Sequence, residues 1–268
     1  MKAMTTSPPN DSSFAVITGA SQGLGRAFAE ELARRNINLI LLSLPGQQLH
    51  ETSERLGRIY RIRTAWYETD LSDTSNVMKV AGWINENFNI FLLINNAGTG
   101  GTKSFMDADA TYINRILQLN VVATSLLTRE LLPNLLRQPH GYILNVSSMA
   151  AFTPSGFKTV YPASKSFIHS FSRGLYSELR HTPVFVSVVN PGAMKTNKEI
   201  TARIEKQGLL GRLTLKDPAA VAKRAISQLF KRDTVIIINP FSWLMMQLIP
   251  VWIRLPLMTK AIQREIRR

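Results

Sequence analysis

Seven short strand-like stretches, most of them apolar runs separated by stretches of helical period, leave this chain few folds to adopt. They are Phe14 to Thr18, Ile37 to Leu44, the more mixed Arg63 to Thr69, Ile90 to Ile94, Tyr142 to Val146, Val184 to Val189 and Thr234 to Ile238. Continuous rather than alternating apolar residues suit strands covered on both faces. Helical patterns over Arg26 to Arg35, Thr74 to Asn87, Tyr112 to Leu136, Val160 to Arg180 and Pro218 to Phe230 supply the crossovers that parallel strands require. The expectation is an α/β fold with a doubly wound parallel sheet of about seven strands and helices on both faces.

In such a sheet a ligand sits outside the carboxyl ends of the strands. The notable motifs of this chain fall at those ends. After the first run comes Gly19-Ala20-Ser21-Gln22-Gly23-Leu24-Gly25 and then a helix. Strand, glycine loop and helix make the turn that dinucleotide sites use: glycines allow close backbone approach to a pyrophosphate, and the helix start offers unpaired amides and a positive dipole end. The fold is therefore expected to be Rossmann-like. The second run ends at Ser43-Leu44, where a carboxylate would bind ribose hydroxyls and an Arg would accept a 2'-phosphate. Neither is present. The third run leads to Asp70-Leu71, the fourth to Asn95-Asn96-Ala97-Gly98, the fifth to Ser147-Ser148 and the sixth to Asn190-Pro191-Gly192.

Val160-Tyr161-Pro162-Ala163-Ser164-Lys165 opens the longest helical pattern, in which Phe167, Phe171, Leu175 and Leu179 recur every fourth residue. That period predicts one largely buried helix with Tyr161 and Lys165 on a shared face. An ammonium beside a phenol favours the phenolate and brings it toward the range of a general acid/base. Asn120 sits in the apolar stretch Ile116 to Val122, where a buried amide must find partners.

With 268 residues, 45% of them hydrophobic, the chain can bury one sizeable core, and no linker divides it. It has no Cys and only four scattered His, so disulfides and a metal cluster are not expected. The 32 Lys and Arg outweigh 18 Asp and Glu by 14 charges, which implies an anionic partner such as nucleotide phosphates, an acyl carrier or a membrane surface. The basic residues are dispersed rather than gathered into a groove, so nucleic acid is not expected.

The chain closely resembles the short-chain dehydrogenase/reductase family from Phe14 to about Ile238. The resemblance rests on Thr18-Gly19-x-x-x-Gly23-x-Gly25, Asp70, Asn95-Asn96-Ala97-Gly98, Asn120, Ser148, Tyr161-x-x-x-Lys165 and Pro191-Gly192-x-x-x-Thr196. It implies an NAD(P)(H)-dependent carbonyl reductase or secondary alcohol dehydrogenase. Tyr161 would be the acid/base, Lys165 would lower its pKa and bind the nicotinamide ribose, Ser148 would hold the substrate oxygen and Asn120 would support a water-linked proton path. Ser147 would be structural. Cofactor contacts would come from Gly19, Ser21, Gly23, Leu24 and Gly25 at the pyrophosphate and ribose, Ser43 at the deciding ribose position, Asp70 and Leu71 at the adenine, and Asn96, Ala97 and Gly98 beside the riboses. Pro191, Gly192 and Thr196 would flank the nicotinamide. Without a carboxylate at Ser43, NADP(H) is expected over NAD(H). The resemblance also implies a homodimer or homotetramer through the two long helices. A rival is a cofactor-binding regulatory or scaffold protein without turnover.

Three domain features complete the expectation: a loose tail over residues 1–13, a catalytic domain over 14–239 with a substrate lid around 193–216, and an apolar, basic extension over 240–268. The extension, rich in Trp and Met but broken by Pro250 and Pro256, is too interrupted for a spanning helix. It is expected either to pack on protein or to rest on an anionic membrane, around a lipophilic substrate such as a steroid-like or 3-oxoacyl compound. The protein is expected to be cytoplasmic.

Overall fold

The computed structural model describes residues 13–192, Met194 and residues 216–266. The expected lid lies outside these residues apart from Met194 and Lys216, which form one parallel bridge. The strands are β1 (Ser13–Thr18), β2 (Asn38–Ser43), β3 (Thr64–Glu68), β4 (Asn89–Asn95), β5 (Gly141–Val146), β6 (Val184–Asn190) and β7 (Val235–Ile237). All pair in parallel, in the order β3-β2-β1-β4-β5-β6-β7. Chain order reverses between β1 and β4, which opens a crevice at their carboxyl ends.

Side-chain alternation along the strands feeds two cores. Ala15, Ile17, Leu39 and Leu41 pack against α1 (Gly23–Ala33) and α2 (Leu49–Tyr60) on one face of the sheet. Phe14, Val16, Ile40 and Leu42 pack against α3 (Thr74–Asn87) on the other. The sequence pattern does not announce α2, because Thr52 and Ser53 fill two of its four buried positions between Leu49 and Leu56.

Two expectations need correcting. The helix expected over Tyr112 to Leu136 begins at Ala110, because the Asp109 carboxylate caps it by accepting from the Tyr112 amide at 2.7 Å. It also consists of three parts: α4 (Ala110–Leu117), a π-helical turn (Gln118–Val122) and α5 (Ala123–Leu136). The turn carries Asn120, and such bulges gather at functional positions. The second correction concerns α6 (Val160–Leu179), whose buried face is not the Phe stripe but Ser164, Lys165, Ile168 and Ser172, with Leu179 near its end. Phe167 is 41% exposed and stacks on Phe171 at 5.8 Å. Small polar residues let the helix lie close over β5, where the Asn145 amide donates to Ser172 Oγ at 2.9 Å.

Beyond α6 come α7 (Pro218–Phe230), α8 (Pro240–Leu248) and α9 (Val251–Ile266). Pro250 separates the last two and Pro256 lies inside α9. No described helix is long and apolar enough to cross a membrane.

Candidate active site

The carboxyl ends of β1, β4 and β5 are held together by buried side-chain amides. Asn95 donates to Thr128 Oγ1 at 2.9 Å and to Asn145 Oδ1 at 2.8 Å. Thr18 Oγ1 accepts from the backbone amides of Asn96 and Ala97 at 2.9 and 2.8 Å. The Asn96 side chain answers by donating to the carbonyls of Thr18 and Gly19 at 2.9 and 3.3 Å. In this structure Asn96 therefore braces the glycine loop. Asn145 is one residue the sequence motifs miss; an Asn inside the apolar strand Tyr-Ile-Leu-Asn-Val was its signal, since a buried amide needs partners.

The braced loop opens a crevice of about 590 Å³, lined among others by Gly19, Ser21, Gly23, Leu24 and Ser43 on one side and Ser148, Tyr161 and Lys165 on the other. Leu71, Asn96, Ala97, Gly98, Pro191 and Gly192 also line it. Three expected site residues stand elsewhere. Asp70 is turned into a local loop, its Oδ1 accepting from the Ser72 amide and hydroxyl at 2.9 and 2.7 Å, while its neighbours Thr69 and Leu71 face the crevice. Gly25 lies behind the loop, where it lets α1 approach Gly19. Asn120 is buried beneath the floor. Thr196 lies outside the described residues.

The crevice fits a dinucleotide on three observations. Gly19 and Gly23 take φ of +65° and +54°, which brings bare backbone to the surface. The start of α1 has no side-chain cap, so its first amides are free for an anion. The Thr102 hydroxyl lies in a lining residue, buried and without a hydrogen-bond partner.

At the other end Ser148 lies beside the Tyr161 phenol and favours its charged form. The Tyr161 ring lies against Gly100, where a Cβ would come within 2.7 Å of the ring. The glycine pair Gly100-Gly101, next to the Asn-Asn-Ala-Gly motif, was the available signal for this contact. Lys165 is 6% exposed, donates from Nζ to the Val146 carbonyl at 2.9 Å and stands 5.9 Å from the Tyr161 ring centre. Among the described residues no carboxylate forms an ion pair with it. Asn120 Nδ2 donates to the Thr99 carbonyl and to Ser164 Oγ, both at 2.9 Å. A Cβ on Gly98 would stand 3.1 Å from Asn120 Oδ1 and 3.3 Å from Lys165 Nζ, so both groups flank that glycine. Ser147 Oγ donates to the Lys165 carbonyl at 2.7 Å, a structural contact.

The expected electrostatic effect of Lys165 on Tyr161 does not set the phenol here. Burial pushes the Tyr161 phenol up and the Ser148 side chain beside it works against that. Burial also lowers Lys165 from its ordinary 10.5 to about 8. Between those two values the unfolded chain binds more protons than the folded one. The contribution of Lys165 to stability is therefore present above pH 10.5 and is lost as pH falls through about 8. Urea unfolding at pH 8 and 9.5 should show the wild type gaining stability relative to Lys165→Met as pH rises. Parallel pH curves for the two proteins would show that burial does not tax this ammonium.

The fold and this crevice define a dinucleotide-binding α/β protein, and comparison with known proteins narrows the class. Residues 13–207 match the family model described as short chain dehydrogenase. The chain belongs to the short-chain dehydrogenase family. It is 32% identical over 188 residues to a very-long-chain 3-oxoacyl-CoA reductase of Anas platyrhynchos, covering 68% of this chain and 60% of the relative. The chain thus spans about three fifths of the length of the first such relatives. Among solved structures, a short-chain dehydrogenase from Sphingobium yanoikuyae in complex with NADPH superposes with a TM-score of 0.77 at 27% identity, covering 88% of this chain and 92% of its own. One from Burkholderia phymatum in complex with NAD gives 0.78 at 25% identity, with 90% and 94% covered.

Proposed function

We propose that the protein is an NAD(P)(H)-dependent oxidoreductase that interconverts a carbonyl and a secondary alcohol. The observation that carries this reading is that Ser148, Tyr161 and Lys165 line the same crevice as the uncapped glycine loop. A nicotinamide, when bound, supplies or accepts the hydride. The chain's own residues then handle the oxygen and the proton. Ser148 Oγ holds the substrate oxygen, and the Tyr161 hydroxyl gives it a proton during reduction or takes one during oxidation. Lys165, a buried cation with no carboxylate paired to it among the described residues, binds ribose hydroxyls and stabilises the phenolate in this reading. Asn120 holds the floor beside it through Thr99 and Ser164. Titration of the protein with NADPH and NADH, followed by a panel of ketones and secondary alcohols, tests the assignment; absence of binding to both cofactors would contradict it.

We assign NADP(H) as the preferred cofactor. The end of β2 offers no carboxylate against a 2'-phosphate: Ser43 and Leu44 stand there, and Ser43 Oγ donates to the Leu44 carbonyl at 3.1 Å. Ser21 Oγ donates to Gln47 Oε1 at 2.5 Å, so the neighbouring polar contact is neutral as well. Ser43→Asp should shift preference toward NAD(H) by introducing charge repulsion at that position. An unchanged ratio of the two dissociation constants would show that Ser43 is not the deciding position.

A lipophilic substrate suits Leu119 and Met194 in the crevice lining and the 3-oxoacyl-CoA chemistry of the relatives. Faster turnover of a small polar ketone than of a long-chain 3-oxoacyl compound would contradict that class. The exposed face of α6, with Phe167 and Tyr176 in solvent, supports a homo-oligomer, which sedimentation as a monomer would contradict.

A further inference from the structure

The two C-terminal helices carry apolar residues on the side that faces solvent. In α8, Phe241, Leu244, Met245 and Leu248 follow the i, i+3, i+4, i+7 spacing of a single helix face, and Phe241 and Leu248 are 73% and 68% exposed. In α9, Trp252 is 73% exposed. The protein-facing side of α9 is marked instead by Thr259, whose Oγ1 accepts from the Gly156 amide at 2.9 Å, and by buried Ile262. Arg254 turns back to donate to the Met246 carbonyl of α8. A surface helix of a protein surrounded by water shows the reverse order, with its apolar stripe hidden. Large apolar side chains left in solvent on consecutive helices mark an interaction surface.

Charge and composition select the occupant. From Asp233 to Glu265 the sequence has no intervening carboxylate, but it has Arg254, Lys260 and Arg264. Trp and Leu beside Lys and Arg are the chemistry of helices that lie in a lipid interface. Lys260 is exposed on α9, and pairing that helix with the same helix of a second copy would bring like charges together. Neither helix is long and apolar enough to cross a bilayer, so the surface can lie on a membrane and not through it.

Position adds an independent observation. The segment between Ser148 and Tyr161 is tied to α9 through Gly156 and, at the next residue, to the loop after β4, where the Lys103 amide donates to the Phe157 carbonyl at 2.7 Å. That loop carries Phe105 and Met106, 60% and 92% exposed. Apolar side chains therefore project on both sides of the segment whose Lys158 lines the crevice.

We propose that α8 and α9 form a docking surface for an anionic lipid bilayer, which seats the molecule with its crevice beside the membrane. The inference is independent of the chemistry performed in the crevice. Its test is flotation of the full chain with vesicles of phosphatidylcholine, alone or mixed with phosphatidylglycerol, compared with the double variant Leu248→Glu, Trp252→Glu. Both side chains are largely in solvent, so the variant should keep the wild-type melting temperature; Phe241→Gln serves as a second variant if it does not. The wild type should float with the mixed vesicles and progressively less as salt is raised. The double variant should float at least about tenfold less, since both side chains lose their apolar burial in the lipid. Equal flotation of wild type and variants would overturn the proposal. So would a wild type that stays down with both vesicles, including one that sediments as a dimer which the variant breaks, since a second copy then covers the face.

Discussion

Replacing Tyr161 with Phe is expected to slow turnover by about 10²- to 10⁴-fold, the usual cost of removing a proton-transfer group, while cofactor affinity stays close to that of the wild type. The ring is held by its flat contact with Gly100, which Phe can make equally well. What disappears is the hydroxyl beside Ser148. Burial holds the Tyr161 phenol above its ordinary value, so it is protonated at neutral pH and can give its proton during reduction. Single-turnover kinetics with a substrate that the wild type reduces, beside a fluorescence titration of the cofactor, separate the two effects. A variant with near wild-type turnover would remove Tyr161 from the chemistry. A variant that also fails to bind cofactor would show that the hydroxyl has a binding role instead.

Gly25→Ala is expected to act on binding and stability together, because the added carbon has no room. A Cβ there would stand 1.9 Å from the Gly19 carbonyl oxygen and 2.6 Å from Asn96 Nδ2. The first of these is backbone and cannot swing aside. The second is fixed by its own hydrogen bonds to the Thr18 and Gly19 carbonyls. Relief requires α1 to move off the loop, which displaces the uncapped helix start from the crevice. Overpacking of this kind typically costs about 1–3 kcal/mol, and the same displacement should weaken cofactor binding roughly tenfold to a hundredfold. Thermal unfolding and cofactor titration of the variant measure both quantities. A wild-type dissociation constant would mean that the helix start does not contact the cofactor.

The sequence already contained the strands to within a residue at either end, because each apolar run gives way to Gly, Pro, Asp, Ser or Asn. It also contained Thr74–Asn87 and Pro218–Phe230 as helices, since Asp73 caps the first by accepting from the Ser75 amide and Pro218 opens the second. Where periodicity misled, a local polar preference was the reason. In α6 the every-fourth-residue Phe pattern pointed to burial, yet the core side holds Ser164, Lys165 and Ser172 because close packing over β5 and hydrogen bonds to Asn145 reward small and polar groups. The π-helical turn at Asn120 leaves no trace in hydropathy. Its signal was one amide in an apolar run, which foretold buried partners but not the bulge. The crevice residues divide in the same way. Glycine-loop positions and the Tyr161, Ser148 and Lys165 group are legible from spacing, whereas the turning of Asp70 toward Ser72 and the bracing role of Asn96 depend on contacts between segments distant in sequence. The C-terminal helices show the converse. Their apolar composition was plain, but only the fold reveals which face is left in solvent.

Whether the crevice performs hydride transfer is tested most directly by following the label. The wild-type protein is incubated with NADPH or NADH carrying deuterium at the nicotinamide C4 position, together with long-chain 3-oxoacyl and ketone substrates, and the products are analysed by mass spectrometry. The account predicts one deuterium at the new carbinol carbon with the wild type, and at least about a hundredfold less with Tyr161→Phe in the same time. Tight cofactor binding without deuterium in any product would contradict it, and would identify a protein that binds the dinucleotide without turning it over.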